Sequence, residues 1–264
     1  MSGERSIRLA VAFARGMSRT PATGWCGVGV EFLVVSGVGI TVMGGGAAGP
    51  LCVSDPSVAI LEDAQFTVGE GPCPEAFLSG VPVSAASFGQ ETARRWPSFA
   101  PLAVANGMGA VFAYPLASAG ANVGVLSVYQ RSAGSLTDGQ HADCLTLVEV
   151  ITETMLSLQD TAPPGELARE LDDAVAYRAE VYQASGIVAV QLGVPAAEAL
   201  LRMRAHAFAA DQTLDAVASA IVDRRLRLDE PAPGVPPPGF PPLGFPAPGF
   251  PTPGFPTPDG GGRS

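Results

Sequence analysis

Lysine is absent from this 264-residue chain, so all 15 basic residues are arginine. Every cationic side chain is therefore a planar guanidinium fork, suited to phosphates and base edges, and none is an ammonium point charge. Histidine is limited to His141 and His206. The four cysteines, Cys26, Cys52, Cys73 and Cys144, form no CxxC pair and no set at zinc-ligand spacing with a histidine. This argues against a metal site and leaves isolated thiols, expected to be buried and inert. No uninterrupted apolar run reaches the ~18 residues that a membrane span needs. Arg5 and Arg8 precede only the short apolar patch Leu9 to Phe13, without a cleavage-site pattern. The expectation is a cytoplasmic protein without membrane association. No Gly-rich loop followed by lysine, no nucleophile elbow and no partnered histidine is present, so neither an enzyme nor a cofactor is expected.

Acidic residues dominate what charge there is, giving a net of −10. Such a chain is soluble and repels nucleic acid at long range. Apolar residues make up 47%, enough for a sizeable buried core. After Glu230 the composition changes abruptly. Gly-Phe-Pro recurs at 239, 244, 249 and 254, and proline at this density prevents helix and sheet. Residues 231–264 are expected to be a disordered Pro/Gly-rich tail.

Between these ends the pattern is mixed. Val11 to Arg15 starts a helix that Thr20-Pro21 breaks, within an N-terminal segment 1–20. Gly37 to Met43 is β-branched and bounded by glycines, which predicts a buried strand, with Pro50 to Ser54 returning beside it. Asp55 or Ser54 caps a helix that has Pro56 in its first turn and Val58, Ile60 and Leu61 on its apolar face. Gly69-Glu-Gly-Pro-Cys73 is a turn-rich loop, Val81 to Val83 is extended, and Trp96 to Ala105 is mostly helical. Gly109 to Leu116 and Val123 to Tyr129 read as a hairpin of strands. Thr137 and Gln140 have capping-box spacing for a helix bearing Leu147, Ile151, Met155 and Leu158. The order of elements predicts an α+β domain with helices packed on an antiparallel sheet.

The C-terminal part is helical throughout. One helix is expected from Glu166 to Leu192, stopped by Gly193, and a second from Pro195 with Ala199, Leu200, Met203 and Phe208. Thr213 caps a third, with Val217, Ile221 and Val222 inward. Leu167, Leu171, Val175 and Tyr182 form a stripe that serves either a dimeric coiled coil or packing on its own domain. Seven arginines minus eleven carboxylates leave residues 166–230 at −4. Nucleic-acid contact would have to rest on a local cluster and on stacking into unpaired bases. Glu170, Asp172 and Asp173 lie in the first turns, away from Arg178, Arg202 and Arg204.

Two resemblances follow. Residues 166–230, with Gln183-Ala184-Ser185-Gly186 at the end of the first helix, resemble the ANTAR domain, a three-helix RNA-binding module of bacterial transcription antiterminators. Ser185 departs from the lysine that many members carry there. Gly37 to Met43, the Gly69 to Cys73 loop, Arg95 to Phe99 and the strands up to Tyr129 together resemble a GAF domain over 21–160. The resemblances imply a GAF-like sensor for an unknown small-molecule ligand, with Cys73 lining its pocket, and a homodimer binding RNA hairpins in nascent transcripts. They point to Arg178, Gln183, Ser185, Arg202 and Arg204 as RNA contacts. Ala184 and Gly186 are read as packing positions, and Tyr177 and Tyr182 as core residues before base-stacking ones. The alternative is a ligand-binding or dimerisation protein whose helical module binds protein and has lost RNA binding, a reading favoured by Ser185 and the net negative charge.

Overall fold

Side-chain alternation decides how the sheet is used. In the computed structural model β1 (Gly37–Gly44), β2 (Ala47–Val53), β3 (Val83–Ala85), β4 (Ala110–Ser118) and β5 (Ala121–Gln130) form one antiparallel sheet, in the order β2-β1-β5-β4-β3. The structure describes residues 2–19, 24–44, 47–118, 120–161, 178–210 and 212–228. Successive residues of a strand face opposite sides. Val38 and Ile40, Phe112 and Tyr114, and Leu126 and Val128 therefore enter one core, while Val111, Ala113, Val125 and Tyr129 enter another.

The first core is covered by α1 (Ser2–Arg19), α2 (Trp25–Leu33) and α7 (Asp138–Thr161), which supply Phe13, Trp25, Leu33, Leu147, Ile151 and Met155. The second is covered by α3 (Pro56–Val68), α4 (Pro72–Ser79) and α6 (Phe99–Ala105), with α5 (Gln90–Arg95) leading into α6. The expected caps form. Asp55 accepts from the amides of Ser57 and Val58 ahead of α3, and Thr137 and Gln140 bond reciprocally at the start of α7. Glycines on the α3 side of β1 let that helix sit close. A Cβ on Gly37 would lie 2.4 Å from Val58 and one on Gly39 3.0 Å from Glu62. Helices α2 and α5 were not distinguished in the sequence, and Ile60, expected on the inner face of α3, is 51% exposed.

One expectation fails outright. Cys26 of α2 and Cys52 of β2 are not isolated thiols but a disulfide spanning 26 residues. No local spacing reveals it, because the pair meets only when α2 folds back beside β2. Cys73 and Cys144 are free and buried.

A third core belongs to α8 (Ala179–Leu192), α9 (Ala196–Ala209) and α10 (Leu214–Val222). Gly193 caps α8 in the left-handed region, Pro195 precedes α9, and Thr213 accepts from the Ala216 amide at 3.2 Å. Val181, Ala184, Val188, Ala199, Met203, Ala207, Leu214, Val217 and Ile221 fill the interior. Phe208 is 69% exposed, since Ala207 takes the inward position. Residues 1–228 form one compact unit, and the expected tail lies in the second, outside the described residues. Leu167, Leu171, Val175 and Tyr177, the start of the helix expected from Glu166, and the acidic Glu170, Asp172 and Asp173 also lie outside the described residues. Among the described residues no single helix is long and apolar enough to cross a membrane.

Candidate nucleic-acid interface

The helical module meets the sheet domain on α3 and β2, and this contact takes up several of the residues expected to bind RNA. Arg178, just before α8, is 4% exposed. Its guanidinium lies 3.6 Å above the Phe66 ring and 3.0 Å from the Asp63 carboxylate. Arg204 of α9 reaches the same ring from 5.2 Å. Burial pulls the Arg204 guanidinium down to about 10, opposed by the Tyr182 hydroxyl and assisted by the charge of Arg178. It stays protonated at neutral pH, but its charge is disfavoured where it sits.

Tyr182 completes the contact. Its ring packs edge-on to Phe66 at 6.1 Å. Its hydroxyl donates to the Ala48 carbonyl at 3.1 Å and accepts from the Ala48 amide. Strand β2 is an edge strand, so Tyr182 satisfies backbone groups that have no strand neighbour. Burial raises the Tyr182 pKa, while the Ala48 hydrogen bond and the two arginines pull it back.

The remaining candidates divide. Ser185 is buried, its hydroxyl donating to the Tyr182 carbonyl at 2.8 Å within the helix. Gln183 is exposed on α8. Arg202 is partly exposed and pairs with Glu198 one turn earlier at 2.6 Å, an ion pair of a kind worth only a few tenths of a kcal/mol. Five residues expected on one face are thus split between a buried contact and an open surface. Gly186 is exposed and a Cβ there would meet nothing within 4 Å, so packing rests on Ala184 alone. Phe66 and Asp63 are neighbours of this contact that the sequence does not mark, and Tyr182, expected in the core, packs against them. No pattern links α3 to a helix more than a hundred residues downstream.

Cys73 lies in the first turn of α4 and is 2% exposed. It belongs to a closed polar cluster. Its amide donates to Gln65 Oε1 at 2.8 Å, Gln65 Nε2 donates to the Tyr129 hydroxyl at 2.9 Å, and that hydroxyl donates to Glu62 at 2.6 Å. Thr41 donates to the other Glu62 oxygen at 2.7 Å. Burial pushes the Cys73 thiol up, Glu62 adds to this, and hydrogen bonds with Ser127 and Thr41 oppose it. The loop before it needs Gly71, with φ 128° and Gln65 Oε1 only 2.5 Å from where a Cβ would stand. In this packing Cys73 faces the chain's own side chains. It lines neither the hollow of about 630 Å³ between α1 and α2 nor that of about 250 Å³ beside Tyr114 and His141. Among the described residues no group of three His, Cys, Asp or Glu is placed to hold a metal.

The family model described as the ANTAR domain matches residues 169–222. This helical segment is an ANTAR domain. The match spans α8, α9 and α10 and reaches back beyond the described residues to 169. The sheet domain ahead of the ANTAR module is similar to solved GAF domains. One, from an Acinetobacter phosphoenolpyruvate-protein phosphotransferase, is 9% identical with a TM-score of 0.45, covering 61% of this chain and 96% of that one. Another, a putative GAF sensor protein from Burkholderia vietnamiensis, is 16% identical with a TM-score of 0.43, covering 58% and 94%. A third, from a Coxiella burnetii phosphoenolpyruvate-protein phosphotransferase, is 12% identical with a TM-score of 0.44, covering 60% and 96%. No curated protein matches the chain. The chain joins a five-stranded antiparallel sheet domain with flanking helices to an ANTAR module.

Proposed function

We propose that this protein is a cytoplasmic, signal-responsive RNA-binding regulator that acts by transcription antitermination. The observation that carries this reading is the ANTAR match over 169–222, on helices that build a core of their own. In this reading the ANTAR modules of a homodimer bind paired RNA hairpins in a nascent transcript and keep a terminator stem from forming. The sheet domain acts as sensor for a small ligand, with the buried cluster around Cys73, Glu62 and Gln65 as its interior. Gln183 and Arg202 are the contacts open to RNA, while Arg178, Ser185 and Arg204 need a change of packing to reach it. Catalysis plays no part.

A second reading has the module binding protein instead of RNA. Val190 at 86%, Leu201 at 50% and Phe208 at 69% exposure favour it, because exposed apolar side chains suit a protein partner better than phosphate. Binding of the full-length protein to tandem RNA hairpins with purine-rich loops, measured across a salt series, separates the two. Saturable binding that weakens with salt and falls at least tenfold in an R202A/Q183A variant is expected. A full chain that binds no hairpin even at low salt leaves the protein-binding reading.

A further inference from the structure

Arginines on an output module, buried against the domain before it, raise the question of what the contact does. We propose that the α3–β2 face of the sheet domain is a docking surface that withholds the ANTAR module from RNA. RNA and this surface compete for Arg178 and Arg204. The inference rests on the RNA-binding reading above and adds to it the element that controls access.

The composition of the contact suits a reversible latch better than permanent packing. Two guanidiniums share one Phe66 ring, and the Asp63 carboxylate that pairs with Arg178 is itself 37% exposed. Arg204 Nε is buried without an acceptor among the described residues. A guanidinium nitrogen drawn out of water without an acceptor is poorly solvated, and phosphate oxygens would satisfy Arg204 better. The fit is nonetheless built. Gly69, the left-handed cap of α3, leaves the space that Arg204 enters, since a Cβ there would stand 2.9 Å from Arg204 Nη1. Release strands nothing, because the Ala48 amide and carbonyl lie on an edge strand where water replaces the Tyr182 hydroxyl.

Helix α3 also connects the latch to the interior. Asp63 and Phe66 face the ANTAR module, while Glu62 and Gln65, on the adjoining side of the same helix, belong to the buried cluster with Thr41, Tyr129 and the Cys73 amide. The buried cluster and the docking residues thus share one helix.

The test uses the full chain, with F66A and, to keep the aromatic ring in place, D63N. Two quantities are read: hydrogen exchange at the Ala48 amide, and affinity for the tandem hairpins. A docked state favoured about tenfold lowers apparent affinity by the same factor. Both variants should therefore exchange Ala48 faster and bind RNA up to about tenfold more tightly than the unaltered chain, and adding R178A should remove the gain. Faster exchange with RNA affinity equal to that of the unaltered chain overturns the inference and leaves the RNA reading standing. Unchanged exchange in both variants also overturns it, since the contact is then not what protects Ala48. Faster exchange with no RNA binding by any form overturns both together.

Discussion

At the scale of single residues the cysteines show how far identity alone reaches. None of the four sits in a recognisable motif, yet two are bonded and two are not. The Cys26–Cys52 bond closes a loop of 26 residues, for which restriction of the unfolded chain contributes about 3.5 kcal/mol. C26S should lower unfolding stability by about that amount under oxidising conditions and by much less in reductant, as measured by urea denaturation. The free thiols behave differently. Burial pushes Cys144 from its ordinary 9.0 to about 12, with a Tyr114 hydrogen bond pulling down and Asp143 pushing up, and Cys73 is also raised. A thiol whose pKa is higher in the folded state contributes stability that is fully present below pH 9.0 and is lost as the pH climbs toward about 12. Unfolding free energy should therefore fall across that alkaline window. Both thiols should resist iodoacetamide at pH 8 until the chain is unfolded.

At the scale of elements, caps and glycines were the most legible signals. Asp55 before Pro56, Thr137 with Gln140, Gly193 and Thr213 each mark a helix end where the structure has one. These signals are local, so the sequence carries them whole. D55A removes a carboxylate that accepts two amides at the start of α3 and should cost about 1 kcal/mol of stability in denaturant titration. Because α3 also carries Asp63 and Phe66, the same substitution should speed exchange at Ala48 more than at amides in the centre of β5. Helix α2 carries no local signature, because Trp25–Leu33 is apolar nearly throughout and has no capping side chain. The inward positions of α9 are not marked in the sequence for a related reason. Ala207 and Phe208 are adjacent and both apolar, and only packing against α8 and α10 decides which turns in.

At the scale of the whole molecule, the negative charge and the buried arginines act together. A chain at −10 repels a phosphate backbone at a distance, and the docked state further reduces the cations available for contact. If two arginines of each docked module are freed, the slope of log affinity against log salt should steepen by roughly 1.4 per module on single-stranded loops. Comparing F66A with the unaltered chain across the salt series measures this directly. The amino-acid order by itself determined the two-part design, a sheet domain of alternating strands followed by three helices, because periodicity, caps and the ANTAR-like segment are properties of neighbours along the chain. Only the tertiary structure decided the Cys26–Cys52 bond, the closed cluster around Glu62 and Cys73, and the fate of Arg178 and Arg204. Each of these is a meeting of residues far apart in sequence, and the energy that selects it, burial weighed against desolvation of charge, exists only once both surfaces are formed.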